Sequence, residues 1–317
     1  MATLFNVPEE RMSAQTNTNV KTGTSPQPAP YTDRHAEVAG LKLHYQDFGI
    51  AGKTPMLCVH GGAASGHWFD FVAGDFTAEH HVLAIDQRGH GDSEWAPTPD
   101  YTYERYAADL DEFVAKLGLE DFVLIGHSMG GAVALTYAAR HPGRVARLVV
   151  VDTTLHMTPE RIAKLREVGT RPGRTYATLE EFVSRFRLRP ADSSATPEVL
   201  RHLANKAAKR NADGTWGHKF DRDVYAVRES VDGLPHWNHI KIPALIVKGE
   251  RSARITPEII AAVKERAPQV EFAEVADADH HVTLDNPAGF TQAVNAFLAK
   301  HKTRSCFEPP INADERR

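Results

Sequence analysis

Residues 121–142 read DFVLIGHSMGGAVALTYAARHP. The apolar run Phe122–Ile125 leads into Gly126-His127-Ser128-Met129-Gly130, and helix-forming residues follow at once. A short apolar run abutting a helical stretch is a buried strand that feeds a helix. A serine on so sharp a turn sits in strained backbone space, and the residues two positions to either side must be small. Gly126 and Gly130 meet that demand, and Gly131 lets the helix pack closely. The free N–H groups and positive dipole end of the helix then face charge developing near Ser128. A bare G-x-S-x-G also arises by chance or as a packing turn. The strand before it and the helix after it make this one a nucleophile elbow.

Outward from the elbow, strand-like runs alternate with helical patterns. Residues 42–48 (KLHYQDF), 55–62 (PMLCVHGG) and 81–93 (HVLAIDQRGHGDS) precede a helix-period stretch over 103–119. Residues 145–154 (VARLVVVDTT), 242–250 (IPALIVKGE) and 270–281 (VEFAEVADADHH) follow, and a helix over 287–301 closes the set. This alternation predicts an α/β fold, a mostly parallel sheet covered by helices on both faces. The rhythm breaks over 153–240, a charged, helix-forming stretch with turn signals at TRPGRT and NADGTWGH and no strong strand. It predicts a helical cap over a core made of 35–152 and 241–300. Residues 1–34, rich in Thr, Pro, Asn and Ser, read as a disordered extension, and 301–317 as a flexible tail.

Composition narrows the function classes. The 317 residues are 42% hydrophobic and 25% charged, with a net charge of −4 and no long run of one sign. That speaks for a mixed solvated surface and against a nucleic-acid face or membrane patch. No run reaches the ~18 apolar residues of a membrane span. The N-terminal stretch carries Glu9 and Glu10 without an apolar core segment, so it is not read as a secretory signal. Cys58 and Cys306 lie far apart, which supports neither a disulfide framework nor a metal cluster. A reducing, cytoplasmic setting is expected, and either a monomer or a homodimer fits.

Two further segments carry chemistry. In CVHGGAASGHWFDF, the backbone after a strand end at His60-Gly61-Gly62 places the Gly62 N–H beside that of Met129 as an oxyanion hole. In DADHHVTLDNPAGF, a loop histidine after the last strand can fold back to the serine. His280 and His281 both qualify on this ground. With 17 histidines in the chain, position has to decide.

Together with the DQRGHGDS turn, these motifs resemble the α/β-hydrolase superfamily over about residues 31–300. The resemblance implies a catalytic histidine seven residues before the proline that starts the final helix, which counts back from Pro287 to His280. It implies that Asp86, Arg88 and Asp92 pin loops instead of reacting, and that the cap supplies the substrate pocket. Related hydrolases keep their catalytic acid a few residues after the glycine of the KGE strand end. In LIVKGERSARITP that slot holds Ser252 and Ala253. Three carboxylates compete. Asp279 adjoins His280, but consecutive side chains diverge. Glu250 lies in the same loop beside Arg251 and is the alternative acid. Asp152 closes LVVVD, 24 residues beyond Ser128. Haloalkane dehalogenases and zearalenone lactonase-like hydrolases carry their acid at that strand end, so Asp152 is the expected acid.

A serine nucleophile disfavours dehalogenase and epoxide hydrolase chemistry, which needs a carboxylate. The expectation is hydrolysis of a small to medium, partly apolar carboxylic ester or lactone through an acyl-enzyme, with no cofactor and no metal. Trp68, His127, Phe182, Phe186, Trp216 and Trp237 are the candidate substrate-binding residues, with Tyr225 a further aromatic of the cap. A carbon–carbon bond hydrolase of ring-cleavage products is an alternative, disfavoured because His281-Val282 replaces the expected tryptophan after the catalytic histidine. A perhydrolase shares the triad. A small-molecule receptor on the same fold is the alternative outside enzymes.

Overall fold

The computed structural model describes residues 27–230 and 232–302. Its strands are β1 (Thr32–Val38), β2 (Leu41–Asp47), β3 (Thr54–Val59), β4 (His80–Ile85), β5 (Phe122–His127), β6 (Val145–Val151), β7 (Ala208–Arg210), β8 (Trp216–His218), β9 (Ala244–Gly249) and β10 (Glu271–Val275). Its helices are α1 (Tyr103–Leu117), α2 (Met129–Arg140), α3 (Pro159–Thr170), α4 (Leu179–Arg185), α5 (Pro197–Ala207), α6 (Asp223–Ala226), α7 (Pro257–Arg266), α8 (Val282–Asp285) and α9 (Pro287–Lys300). Eight strands form one sheet in the order β1-β2-β4-β3-β5-β6-β9-β10, and β7 pairs with β8 apart from it. From β4 to β10 all pairings are parallel, whereas β2 runs antiparallel to both of its neighbours.

Alternation along each central strand splits the core into two layers. Leu57 and Val59 of β3 join the layer of α1, α2 and α7, which includes Phe113, Val133 and Val263. Met56 and Cys58 face the other way, toward Trp68, Phe76 and, from α9, Phe290 and Val294. Helix starts are strongly marked. Each of α3, α5 and α7 begins with Thr-Pro-Glu, and the Thr hydroxyls of 158, 196 and 256 accept the N–H groups of Arg161, Val199 and Ile259. Proline supplies a preset φ at the first helical position, and each cap is worth about 1 kcal/mol.

The sheet order also places the site. From β3 the chain passes to β4 on one side, then crosses through α1 to β5 on the other. Connections that diverge in this way open a crevice at the carboxyl ends of the two strands. Gly61 and Gly62 follow β3, and Ser128 follows β5.

Residues 1–26 and 303–317, with Cys306, lie outside the described residues, so most of the expected extension and tail does too. At their inner ends the expected boundaries are corrected. Thr32, Asp33 and Arg34 already belong to β1, the Ala29 N–H donates to Asp70 O (2.7 Å), and Tyr31 packs on Phe48. In β1 only Ala36 and Val38 are buried, so this charged edge strand reads in sequence like a linker. His301 is likewise anchored, its carbonyl accepting from Arg147 and its ring bonding Glu271. The insertion between β6 and β9 carries α3 to α6 and, beside them, the short strands β7 and β8. Each is three residues long, too short to leave an apolar run, and NADGT forms the turn between them.

Candidate active site

Ser128 sits between β5 and α2 with φ 54° and ψ −116°, a conformation that side-chain-bearing residues seldom adopt. The glycines around it are sterically required. A Cβ on Gly126 would lie 2.3 Å from Gly130 O, and one on Gly130 would lie 2.3 Å from Val59 O. The Ser128 N–H donates to Val151 O (2.9 Å), which ties the turn to the end of β6. Met129 opens α2, so its N–H has no acceptor within the helix.

After β10 the chain carries His280 back over the strand ends. His280 Nε2 lies 3.0 Å from Ser128 Oγ, and Nδ1 lies 2.7 Å from Asp152 Oδ2. A carboxylate only accepts, so the ring proton sits on Nδ1 and Nε2 is free to accept from the serine hydroxyl. Asp152 is fully buried after β6 at φ 42°, its N–H donating to Val247 O (2.7 Å). Ser252, in the slot where an acid was expected, donates its hydroxyl to the same Asp152 Oδ2 at 2.7 Å. Arg254 Nε stands 3.6 Å from that oxygen.

The electrostatics suit a resting base. Burial holds the His280 imidazole well below its usual range, and the Arg254 charge acts in the same direction. Burial pushes the Asp152 carboxyl up, against the Ser252 hydroxyl and the Arg254 charge. His280 is therefore neutral near pH 7, with its Nε2 lone pair available. Glu250 is exposed and accepts the Asp277 N–H (2.9 Å), while Asp279 faces Arg251 (3.2 Å). Neither bonds His280 among the described residues.

The neighbouring histidines have structural duties. His127 is buried, and its Nε2–H donates to His280 O (2.9 Å), fixing the loop that carries His280. His281 accepts from Trp68 Nε1 (3.4 Å) and donates to Pro190 O (2.9 Å), linking the same loop to the insertion.

The loop after β3 completes the crevice. A Cβ on Gly61 would lie 3.1 Å from Ser128 Cβ, and one on Gly62 would lie 3.2 Å from the Tyr225 hydroxyl. His60 holds this loop from beneath, donating to Gly61 O (2.7 Å) and accepting the Gln87 N–H (3.0 Å). The DQRGHGDS turn fastens it further. Buried Asp86 accepts the N–H groups of Gly66 (2.6 Å) and Asp92 (2.9 Å) and bonds His44 (2.8 Å). Arg88 pairs with buried Asp109, and Asp92 holds Lys219 of the insertion (2.7 Å).

A cavity of about 650 Å³ lies over Ser128 and His280, with Gly62, Trp68, His127, Phe186 and Tyr225 in its wall. Three of the expected binding aromatics are elsewhere. Phe182 stands behind the wall, its ring 4.8 Å from that of His218. Trp216 is turned into β8, its backbone paired with Tyr176. Trp237 is fully buried in the core layer of α1 and α2. The sequence shows an aromatic's size but not which face of the insertion it takes, and large side chains more often serve packing. Sequence reasoning also missed Ser252, Arg254 and the arginines of the cavity wall. The last had a readable signal, the alternation Arg185-Phe186-Arg187-Leu188-Arg189.

Residues 54–287 match the family model described as alpha/beta hydrolase fold. The sn-1-specific diacylglycerol lipase ABHD11 of Mus musculus is 29% identical over 286 residues, covering 84% of this chain and 88% of that protein. The 3-hydroxybutyrate-oligomer hydrolase of Cupriavidus necator is 28% identical over 277 residues, covering 82% and 94%. The crystal structure of E-2-(acetamidomethylene)succinate hydrolase superposes with a TM-score of 0.76 at 22% identity, over 85% of this chain and 100% of that one. Identity that low speaks for the fold alone, whereas the family model spans most of the chain. The chain belongs to the alpha/beta hydrolase fold family.

Proposed function

We propose that the protein is a serine hydrolase that cleaves a carboxylic ester, thioester or lactone through an acyl-enzyme on Ser128. The observation that carries this reading is the continuous bond from Ser128 Oγ to His280 Nε2 (3.0 Å) and from His280 Nδ1 to Asp152 (2.7 Å). Ser128 Oγ attacks the carbonyl carbon while His280 Nε2 takes its proton, and Asp152 steadies the imidazolium that forms. The N–H groups of Gly62 and Met129 stabilise the oxyanion. His280 then gives the proton to the leaving oxygen or sulfur as the bond to it breaks. Water, activated by the same histidine, releases the acid. Protons and electron pairs move only between substrate, water and these side chains, so neither metal nor cofactor enters.

The relatives named as a lipase and an oligomer hydrolase support hydrolysis as the reaction type. Trp68, Phe186 and Tyr225 give the cavity an apolar side for a small to medium, partly apolar substrate. A fluorophosphonate probe should label Ser128 alone, and Ser128→Ala should abolish both labelling and turnover of p-nitrophenyl butyrate. Active protein without a label, or a label on another serine, would reject the mechanism. Binding without turnover of any ester, thioester or lactone would favour a receptor.

A further inference from the structure

We infer that the cavity selects a substrate bearing an anionic group, a carboxylate or a phosphate, set away from the scissile carbonyl. The inference rests on the proposed serine hydrolase reading and names the class of substrate for that site. Six arginines line the same cavity as Ser128 and His280: Arg171, Arg174, Arg185, Arg187, Arg189 and Arg222. The chain as a whole is acidic, with a net charge of −4, so this concentration is not general composition. All six belong to the insertion; the loops after α3 and α4 bring Arg171, Arg174, Arg187 and Arg189 to the cavity, and Arg185 closes α4. In the stretch from Arg185 to Arg189, the intervening Phe186 and Leu188 are buried and the arginines are exposed. Packing of the two apolar residues thereby turns the three guanidinium groups outward together.

Apart from Arg171, these arginines meet no carboxylate partner among the described residues. Asp221 is the one carboxylate among the lining residues, and the Tyr101 hydroxyl bonds it. Arg171 reaches Glu167, a pair in which both side chains are largely exposed. Arg187 donates to Phe186 O (2.6 Å), and Arg222 donates to Arg171 O (2.6 Å). Backbone carbonyls orient a guanidinium without cancelling its charge. Arg174, Arg185 and Arg189 pair with no carboxylate among the described residues. Their combined field is felt inside the cavity, where burial, Arg189 and Arg222 together lower the His218 pKa to about 4. Like charges gathered around a concave, half-enclosed site repel one another, and a bound anion relieves that repulsion. Guanidinium forks also match carboxylate and phosphate oxygens two at a time.

The test compares three acyl esters of p-nitrophenol: the glutarate monoester, its neutral methyl ester, and an analogue ending in phosphate. The wild type should hydrolyse at least one anionic ester with kcat/KM at least tenfold above the neutral one, mainly through KM. That ratio should shrink as NaCl rises from 20 to 300 mM and fall at least tenfold in Arg174→Gln/Arg189→Gln. Which anionic ester leads decides between carboxylate and phosphate. A second arm uses Ser128→Ala and follows tryptophan fluorescence, since Trp68 and Trp95 line the cavity. Glutarate or phenyl phosphate should bind there, and more weakly in the arginine variant. Turnover of the neutral ester through Ser128 without anionic preference or anion binding would overturn the inference and leave the hydrolase reading intact. Anion binding with no turnover of any ester would remove that reading and keep the anion site. An unchanged anionic-to-neutral ratio in the arginine variant would overturn the assignment to these residues.

Discussion

Ser252 stands in the slot where the family resemblance implies an acid, and its hydroxyl donates to Asp152 Oδ2 at 2.7 Å. On the proposed mechanism Asp152, at the end of β6, is the acid, and Ser252 supports it with a hydrogen bond. Asp152→Asn keeps the shape, removes the charge and favours the wrong tautomer of His280, so turnover should fall by about 10⁴-fold. Glu250→Gln should change kcat by less than about tenfold, because only exposed contacts are lost. Placing Ser252→Asp in the Asp152→Asn background should restore part of the activity, since residue 252 already reaches the atom that His280 contacts. An inactive Glu250→Gln beside an active Asp152→Asn would return the acid to the KGE loop. Arg254 supports a second expectation. Burial and the Arg254 charge both lower the His280 pKa, so the acid limb of kcat/KM should lie below the ordinary imidazole range. Arg254→Leu should move that limb to higher pH, and a pH–rate profile with an unmoved limb would remove Arg254 from the account.

At the scale of elements, the elbow depends on atoms that cannot yield. A Cβ at residue 130 would meet Val59 O at 2.3 Å and His60 O at 2.4 Å, both backbone atoms of the neighbouring strand end. Gly130→Ala should therefore push α2 off β3, cost about 1–3 kcal/mol or more, and displace the Met129 N–H from the proposed oxyanion position. Thermal melting together with probe labelling of Ser128 checks both effects, and a variant with wild-type values in each would show that the backbone has slack there. This crowding explains why the elbow was legible in the sequence. Small residues are forced at fixed offsets, and the run FVLI before them permits little but a central strand. Asp152 follows directly on β6, whereas four residues separate His280 from β10, and only the family resemblance singles it out from His281. The insertion was less legible. Whether Trp237 turns into the core or Phe186 into the cavity depends on contacts made far along the chain. Strand β1 was hidden by its charged edge, and the arginine alternation from Arg185 to Arg189 reads in isolation as a solvated surface.

For the molecule as a whole, buried histidines dominate the response to acid. His60, His90, His127, His218, His280 and His281 all have lowered pKa values, with burial the leading cause. Between each folded value and the unfolded ~6.5, the unfolded chain binds more protons, so stability falls as pH drops through that window and the loss is complete below the folded value. His90, lowered to about 3, on this arithmetic removes about 2 kcal/mol of stability at pH 5. His44, raised by Asp86 despite its burial, works in the opposite direction but is outnumbered. Tm should fall by several degrees between pH 7.5 and 5, before the carboxylates titrate. A flat Tm over that range would mean that these rings are not held neutral in the fold. A different consequence follows from the sheet. β6 and β9 are bonded neighbours, with Val151 opposite Val247, and the whole segment 153–240 leaves from one and returns to the other. Adjacent strands lie about 4.8 Å apart, and the entropy of closing a loop between fixed ends grows only slowly with its length. The sheet therefore acts as a socket: the insert leaves at Asp152, beside the carboxyl end of β9 that Ser252 follows, and returns at the start of β9, where Ala244 pairs with Leu148. Any insert that covers the exposed core can be seated there, so on the proposed function the part that reads the substrate is exchangeable while the part that cuts stays in place.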